Sequence, residues 1–278
     1  MKFLIIIPAH NEEENILSCL ESLKNQSFQD FKCVIVNDGS TDKTQEIADK
    51  YKVQSIKYEV LNLEKSEHQP GAKVVRTFNK GLETENLEEY DVVCKFDADI
   101  IFPKNYLEKI NEVYEKNPNA GMVSGLVYIE KNGEWVFENL SSKNHVRGPI
   151  KSYRKELFLK MNGLRAVLGW DNIDVMLCKM HGYETVTIKE LWVKHLRPTA
   201  YKYKAQKAEK LGEYFYNIGL NFPLAAISSA KSSWKNKSFS EFFITMKSFL
   251  KQKNPRVLTP EEISFIRNLR WSEMRKKF

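Results

Sequence analysis

The sequence predicts an α/β protein: a mostly parallel central sheet with helices on both faces, followed by a helical C-terminal extension. Three observations carry this. Through the first 110 residues, apolar runs of strand length alternate with stretches of helical periodicity, and strands joined by helices pair in parallel. Residues 120–200 change to a hairpin and short helices. Beyond Pro198 the apolar spacing is mostly helical.

In chain order, FLIIIP (Phe3–Pro8) is the first strand. Its apolar run breaks into acid and lacks a cleavage site, so it does not read as a leader. Asn11 then precedes EEENILSCLESLKNQ, where Ile16, Leu20 and Leu23 recur at helical spacing and the acids occupy the end that the helix dipole favours. FKCVIVND (Phe31–Asp38) is the second strand. Gly39-Ser40 makes a turn, and Ser40 or Thr41 caps the helix DKTQEIADKY. VQSIKYEVL is the third strand and DVVCKF the fourth. PKNYLEKINEVYEK opens with proline and repeats Tyr106, Ile110, Val113 on one helical face. GMVSGLVYIE and EWVFEN are strands joined by the hairpin signal Lys131-Asn132-Gly133. YRKELFLKMNG and NIDVMLCKMHG are short helices stopped by glycine, and YETVTI and LWVKHL are extended. In the tail, SFSEFFITMKSFLKQK sets Phe239, Phe242, Phe243, Met246, Phe249 and Leu250 on one apolar face. TPEEISFIRNLRW begins with the capping-box pattern Thr259, Pro260, Glu262.

Composition narrows the class. The chain has 278 residues, 42% hydrophobic and 28% charged, which describes a globular protein with one large core and room for an appendage. Cys19, Cys33, Cys94 and Cys178 form no CxxC pair and read as reduced core residues of a cytosolic protein. No run approaches the roughly 18 apolar residues of a membrane helix. From Ala200 onward there are 16 basic and 6 acidic residues, a net of +10; the remainder carries 27 and 30, a net of −3. The overall +7 therefore belongs to the tail. The body is not a generic polyanion binder, and no nucleic-acid partner is expected.

In parallel α/β sheets, ligands bind outside the carboxyl ends of the strands. Three polar clusters fall there: Pro8-Ala9-His10-Asn11-Glu12, Asn37-Asp38-Gly39-Ser40 and Asp97-Ala98-Asp99. Two carboxylates two residues apart at the end of a buried strand repel each other and are costly to desolvate. A positive group must compensate them, and a divalent metal is the usual candidate because hard cations take carboxylate oxygens.

IIIPAHNEEENI, VIVNDGSTDKT and KFDADIIFP, in that order and spacing, resemble the inverting family 2 glycosyltransferases of GT-A fold, over roughly residues 1–200. The resemblance implies a catalytic domain 1–200, with 1–110 the nucleotide-sugar half and 111–200 the acceptor half, and a helical extension 201–278. It implies a nucleotide-sugar donor, UDP-linked by preference, a saccharide or lipid-linked saccharide acceptor, and Mg²⁺ or Mn²⁺. Such an enzyme serves cell-surface polysaccharide or glycolipid synthesis.

By the same resemblance, Asp38 reads the nucleobase, since a carboxylate accepts the imide N–H that uracil has and cytosine lacks; the alternative is a helix cap. Pro8, Ala9 and Glu12 match the ribose and base wall, with Glu12 otherwise a first-turn helix acid. Asp97, with Ala98, approaches the ribose and metal, and Asp99 ligates the metal. In HQPGAKVVRTFNKGLE, Lys73 and Arg76 are candidates for the diphosphate or are surface charges. GWDNIDVMLCKMHGYE matches the motif that supplies the catalytic base, which must deprotonate the acceptor hydroxyl. The family often shows Glu-Asp here, whereas this chain has Trp170-Asp171, so Asp171 takes the base position and Asp174 is the alternative. Trp170 stacks on a sugar or simply packs. His195 is a metal or diphosphate ligand or a structural histidine, and Arg197 is within reach of phosphate. His10, His68, His145 and His181 receive no role.

Two rivals remain. A nucleotidyltransferase of similar build calls for a Gly-rich basic loop after the first strand, and PAHNEEEN has none. A non-catalytic membrane- or nucleic-acid-binding protein leaves the acids of DAD and GWDNID without purpose. For the tail, residues 231–278 either rest on an anionic membrane surface, as in a cytoplasmic protein peripheral to the inner face, or pack on the catalytic domain or a second subunit.

Overall fold

The computed structural model describes residues 1–54, 57–64, 71–197 and 206–276. Its elements run β1 (Phe3–Ala9), α1 (Ile16–Lys24), β2 (Phe31–Asp38), α2 (Thr44–Gln54), β3 (Tyr58–Leu63), α3 (Ala72–Leu82), β4 (Val92–Phe96), β5 (Ile100–Ile101), α4 (Tyr106–Lys116), β6 (Ala120–Lys131), β7 (Glu134–Phe137), β8 (Ile150–Arg154), α5 (Lys155–Lys160), α6 (Trp170–Met180) and β9 (Glu184–His195). The helices α7 (Lys207–Asn217), α8 (Phe222–Lys235), α9 (Phe239–Lys251) and α10 (Pro260–Arg275) follow.

The described strands form one sheet ordered β3-β2-β1-β4-β8-β6-β9-β5, with β7 paired to β6. The four strands from β3 to β4 are parallel. β8 enters antiparallel between β4 and β6, and β9 runs parallel to β6. Alternation along β1 explains the layering, because successive side chains of a strand point to opposite faces. Phe3, Ile5 and Ile7 join α1, α2 and α4 in one core; Leu4 and Ile6 join α3, α5, α6 and the C-terminal helices in the other. All four cysteines are buried and free.

Several local expectations shift. The helix after β1 begins at Ile16, and Asn11 adopts φ 54° instead of capping it. Its side-chain oxygen accepts from Thr41 N–H at 2.8 Å, which ties the first loop to the second. Asp42, rather than Ser40 or Thr41, receives the Thr44 N–H at 2.9 Å. The expected third strand starts late: α2 continues through Gln54 and β3 begins at Tyr58, with Ser55 and Ile56 outside the described residues. YRKELF is not all helix, since Tyr153 and Arg154 end β8. YETVTI and LWVKHL are one strand, β9, irregular where its register on β6 shifts between Ser124 and Leu126. The 200/201 boundary itself falls outside the described residues.

The C-terminal helices pack onto the sheet's second layer. Phe215, Ile218, Leu224, Met246, Phe249 and Ile266 share a core with α6. The capping box of α10 forms as its sequence predicts, and its Glu262 also accepts from Arg165 at 2.6 Å, clamping the helix to the loop before α6. The apolar face read on α9 divides: Met246 and Phe249 are buried, whereas Phe239, Phe243 and Leu250 face outward.

Candidate active site

Parallel pairing sets Ala9 beside Asn37, while Ile6 pairs with Lys95. The loops after β1, β2 and β4 therefore leave the same edge of the sheet. The first two are laced together: His10 Nδ1–H donates to Asp38 O at 2.7 Å, Asn11 N–H to Ser40 Oγ at 3.0 Å and Glu12 N–H to Thr44 Oγ1 at 2.7 Å. Pro8 is half-buried and Ala9 buried beneath them.

Asp38 is buried at the end of β2. It accepts from Thr77 Oγ1 at 3.0 Å and lies 3.2 Å from Lys73 Nζ, both on α3. Lys73 thus stands at the Asp38 end of the edge. Arg76, one turn on, is exposed and has no ion pair among the described residues.

The repulsion between Asp97 and Asp99 is answered by the protein's own cations. Asp99 Oδ2 lies 3.5 Å from His195 Nε2 and 3.5 Å from Arg197 Nε. Arg197 also pairs with Glu12, and His195 Nδ1 lies 3.4 Å from Glu138 Oε2, which in turn pairs with Arg147 at 2.8 Å. Charges alternate along Arg147, Glu138, His195, Asp99, Arg197 and Glu12. Burial pulls the His195 imidazole down, but the bonds to Asp99 and Glu138 outweigh it and raise the pKa to about 9. Burial raises Glu12 above the ordinary carboxylate range, against the bonds from Asn15 and Arg197. Asp97 pairs with Lys95, and Ala98 is buried between the two acids.

Lys95 and Lys151 are directly opposite each other on β4 and β8. Like charges so placed repel, and both are almost fully buried. Both ammonium groups lie over the Trp170 ring, at 5.2 and 5.3 Å, where the ring's negative face attracts them. Lys95 takes Asp97 as counter-ion. Lys151 Nζ lies 2.7 Å from both oxygens of Asp174, whose Oδ2 also accepts from Tyr153 OH at 2.6 Å. Trp170 is 7% exposed and packs as the platform of this pair.

Asp174 is buried with every carboxylate direction engaged, and burial raises its pKa while Lys151 opposes. Asp171, three residues earlier in the first turn of α6, is only half-buried. The bond to its carboxylate is the Asn172 amide at 3.4 Å. Of the two acids, Asp171 is the more exposed. Gly169 makes the turn into α6 with φ 96°, and a Cβ there would stand 2.5 Å from Tyr214 of α7.

No group of three or more His, Cys, Asp or Glu arranged to hold a metal occurs among the described residues. A small hard cation is commonly held by one or two carboxylates with the rest from substrate phosphate and water. Asp99 supplies one such carboxylate; His195, held between Asp99 and Glu138, would join it as a donor only after losing its imidazolium proton. Sequence reasoning missed Lys95, Lys151, Glu138 and Thr77. Lysine inside the buried runs DVVCKF and IKSYR was the available clue for the first two.

The chain is similar to known proteins in sequence and in fold. The model of the family described as "Glycosyl transferase family 2" matches residues 4–167. Glycosyltransferase GlyG of Streptococcus pneumoniae serotype 4 is 28% identical over 134 residues, 48% of this chain and 42% of that protein. TarS of Staphylococcus aureus, a poly(ribitol-phosphate) β-N-acetylglucosaminyltransferase, is 40% identical over 73 residues, 26% of this chain and 13% of TarS. The chain thus spans less than half the length of these relatives. In fold, S. aureus TarS 1–349 in complex with UDP-GlcNAc superposes with TM-score 0.59 at 17% identity, covering 92% of this chain and 93% of that one. Mannosyltransferase PcManGT from Pyrobaculum calidifontis, in complex with GDP-Man and Mn²⁺, superposes with TM-score 0.58 at 16% identity, covering 99% and 75%.

Proposed function

This chain belongs to glycosyl transferase family 2, and on that premise we propose that it is a metal-dependent inverting glycosyltransferase. It transfers a sugar from a UDP-sugar to a saccharide or lipid-linked saccharide of a cell-surface polymer. Residues 1–110 hold the donor, 111–200 the acceptor, and 201–278 form a helical extension of a cytoplasmic protein. The carrying observation is the convergence of Asp38, Asp97 and Asp99 on one sheet edge, linked through Lys95 and Trp170 to the first turn of α6, where Asp171 is accessible. The UDP-GlcNAc bound by TarS and the Mn²⁺ bound by PcManGT support the donor and metal choices.

In this reading Asp38 accepts the uracil imide N–H, while Pro8, Ala9 and Glu12 wall the base and ribose. Asp97 approaches the ribose. Lys73, Arg76 and Arg197 supply positive charge along the nucleotide. Asp99 and His195 would hold Mg²⁺ or Mn²⁺, which when bound neutralises charge on the departing diphosphate. Asp171 accepts the proton of the acceptor hydroxyl as that oxygen bonds to the anomeric carbon. The bond from carbon to the phosphate oxygen breaks with its electron pair leaving on UDP, and the anomeric configuration inverts. Trp170, under Lys95 and Lys151, fixes α6 against the donor side.

A panel of nucleotide-sugars, scored for nucleoside diphosphate release with Mg²⁺, Mn²⁺ or EDTA, tests the reading. A UDP-sugar should be turned over only with metal, and Asp99→Asn should lose metal-dependent UDP binding while still unfolding in one cooperative transition. Equal UDP affinity with and without EDTA in the parent protein refutes the metal assignment.

A further inference from the structure

The site leaves the outer corner of α8 and α9 without a task. Trp234, Phe239, Phe243 and Leu250 are 88%, 84%, 61% and 63% exposed. On α9 the spacing of Phe239, Phe243 and Leu250 places them on one stripe, and Trp234 stands at the end of α8, just before the turn. The Phe239 and Phe243 rings are 6.1 Å apart. The opposite side of α9 is already spent, with Met246 and Phe249 buried in the core shared with α6. Large aromatic side chains grouped on a surface mark a site of contact.

Charge identifies what is contacted. Between Phe222 and Lys253 the basic residues are Lys231, Lys235, Lys237, Lys247, Lys251 and Lys253, against one acid, Glu241. All six lysines are exposed, and none makes an ion pair among the described residues. Lys247 lies on the same stripe as Phe243 and Leu250. A second copy of this chain is a poor occupant, because a two-fold contact would set two such basic faces against each other. Aromatic rings rimmed by unpaired lysines suit a lipid surface, where the rings enter the headgroup boundary and the ammonium groups meet phosphate.

We propose that the α8–α9 corner, with Trp234, Phe239 and Phe243 at its tip, docks the protein on an anionic membrane surface. No helix among the described residues is long and apolar enough to cross a membrane, so this contact is peripheral and reversible. It deepens the proposed function, since a lipid-linked acceptor is met at such a surface, but it stands on its own observations.

The test is co-sedimentation of the 278-residue chain with vesicles of phosphatidylcholine alone or mixed with phosphatidylglycerol, at low and high salt. The parent should sediment with the anionic vesicles at low salt and be released at high salt. The triple variant Trp234→Ser, Phe239→Ser, Phe243→Ser should bind at least about tenfold more weakly, from the apolar area withdrawn. The triple variant Lys231→Gln, Lys235→Gln, Lys237→Gln should bind about 100-fold more weakly, at roughly fivefold per lysine. Both sets are on the surface, so thermal midpoints should match the parent; if the aromatic variant fails to fold, the lysine variant decides. No binding to anionic vesicles at low salt overturns the proposal. So does equal binding to neutral vesicles, or undiminished binding of either variant. A dimer that the aromatic variant dissociates, with no vesicle binding, assigns the corner to a second copy instead. Because binding alone is measured, failure here leaves the transfer reading standing.

Discussion

Replacing Asp174 by asparagine removes one charge from a pair that has no access to water. Lys151 is fully buried, and its ammonium lies 2.7 Å from both carboxylate oxygens. In Asp174→Asn the amide keeps a bond from Tyr153, but Lys151 is left with the Asp171 carbonyl and the Trp170 face. Removing one partner of a buried ion pair costs about 3–5 kcal/mol. For a chain of this size that lowers the thermal midpoint by on the order of 10 °C. Asp171→Asn changes a half-buried carboxylate with one weak bond and should stay within about 1 kcal/mol of the parent while abolishing transfer. Urea unfolding, read from the midpoint at unchanged slope, measures both.

Two companions sharpen the contrast. Lys151→Met leaves the Asp174 carboxyl buried and unpaired, with its folded pKa above the value of about 3.9 in the unfolded chain. A carboxyl raised on folding contributes its stability at low pH and loses it as pH rises through the folded pKa. The variant should therefore be least stable, relative to the parent, at neutral and alkaline pH. Lys151→Met with Asp174→Leu should recover most of the loss, since an apolar pair replaces the charges. If Asp174→Asn is within about 1 kcal/mol of the parent yet inactive, and Asp171→Asn remains active, the base is Asp174 and the reasoning fails.

Burial holds the His145 imidazole down at about 4, with Lys151, Arg147 and Lys179 acting the same way and Asp171 opposing. The unfolded chain takes this proton first, near pH 6.5, so stability falls between about pH 6.5 and 4; His145→Asn should flatten that limb, and an unchanged difference in urea midpoint between pH 7.5 and 4.5 refutes it. Gly169→Ala forces a side chain into φ 96° and against Tyr214, which should cost about 2–3 kcal/mol in equilibrium unfolding; a loss under about 0.5 kcal/mol would show that the turn relaxes freely. Asp38→Asn should reduce the preference for UDP over CDP about tenfold in competition binding, the worth of one charge-assisted bond, and an unaltered ratio removes Asp38 from base reading.

The three acidic loops were legible because they depend on topology alone. Once β1, β2 and β4 are parallel, Glu12, Asp38 and Asp97 must leave the same edge, and parallel pairing follows from strands alternating with helices. The capping box at Thr259 was legible for a similar reason, since its partners are three residues apart. By itself the sequence determined the continuous apolar runs of β1 and β2, the helices at 3.6 spacing and the loops that carry the chemistry, all set by neighbours within about two turns of chain.

Tertiary structure decided the rest. Asp171 and Asp174 lie on one helix three residues apart, and Lys151 and Tyr153 on β8 engage the carboxylate of the second one. The strand β8, whose last two residues the sequence places in a helix, inserts antiparallel beside β4 and sets Lys151 against Lys95, a like-charge pairing that local sequence gives no reason to expect. The apolar face of α9 likewise split into a buried side and an exposed one only when α7 and α8 covered half of it. The physical reason is common to all three: a charge or an apolar side chain acquires its energy from the dielectric and the partners around it, and those are supplied by segments distant in the chain.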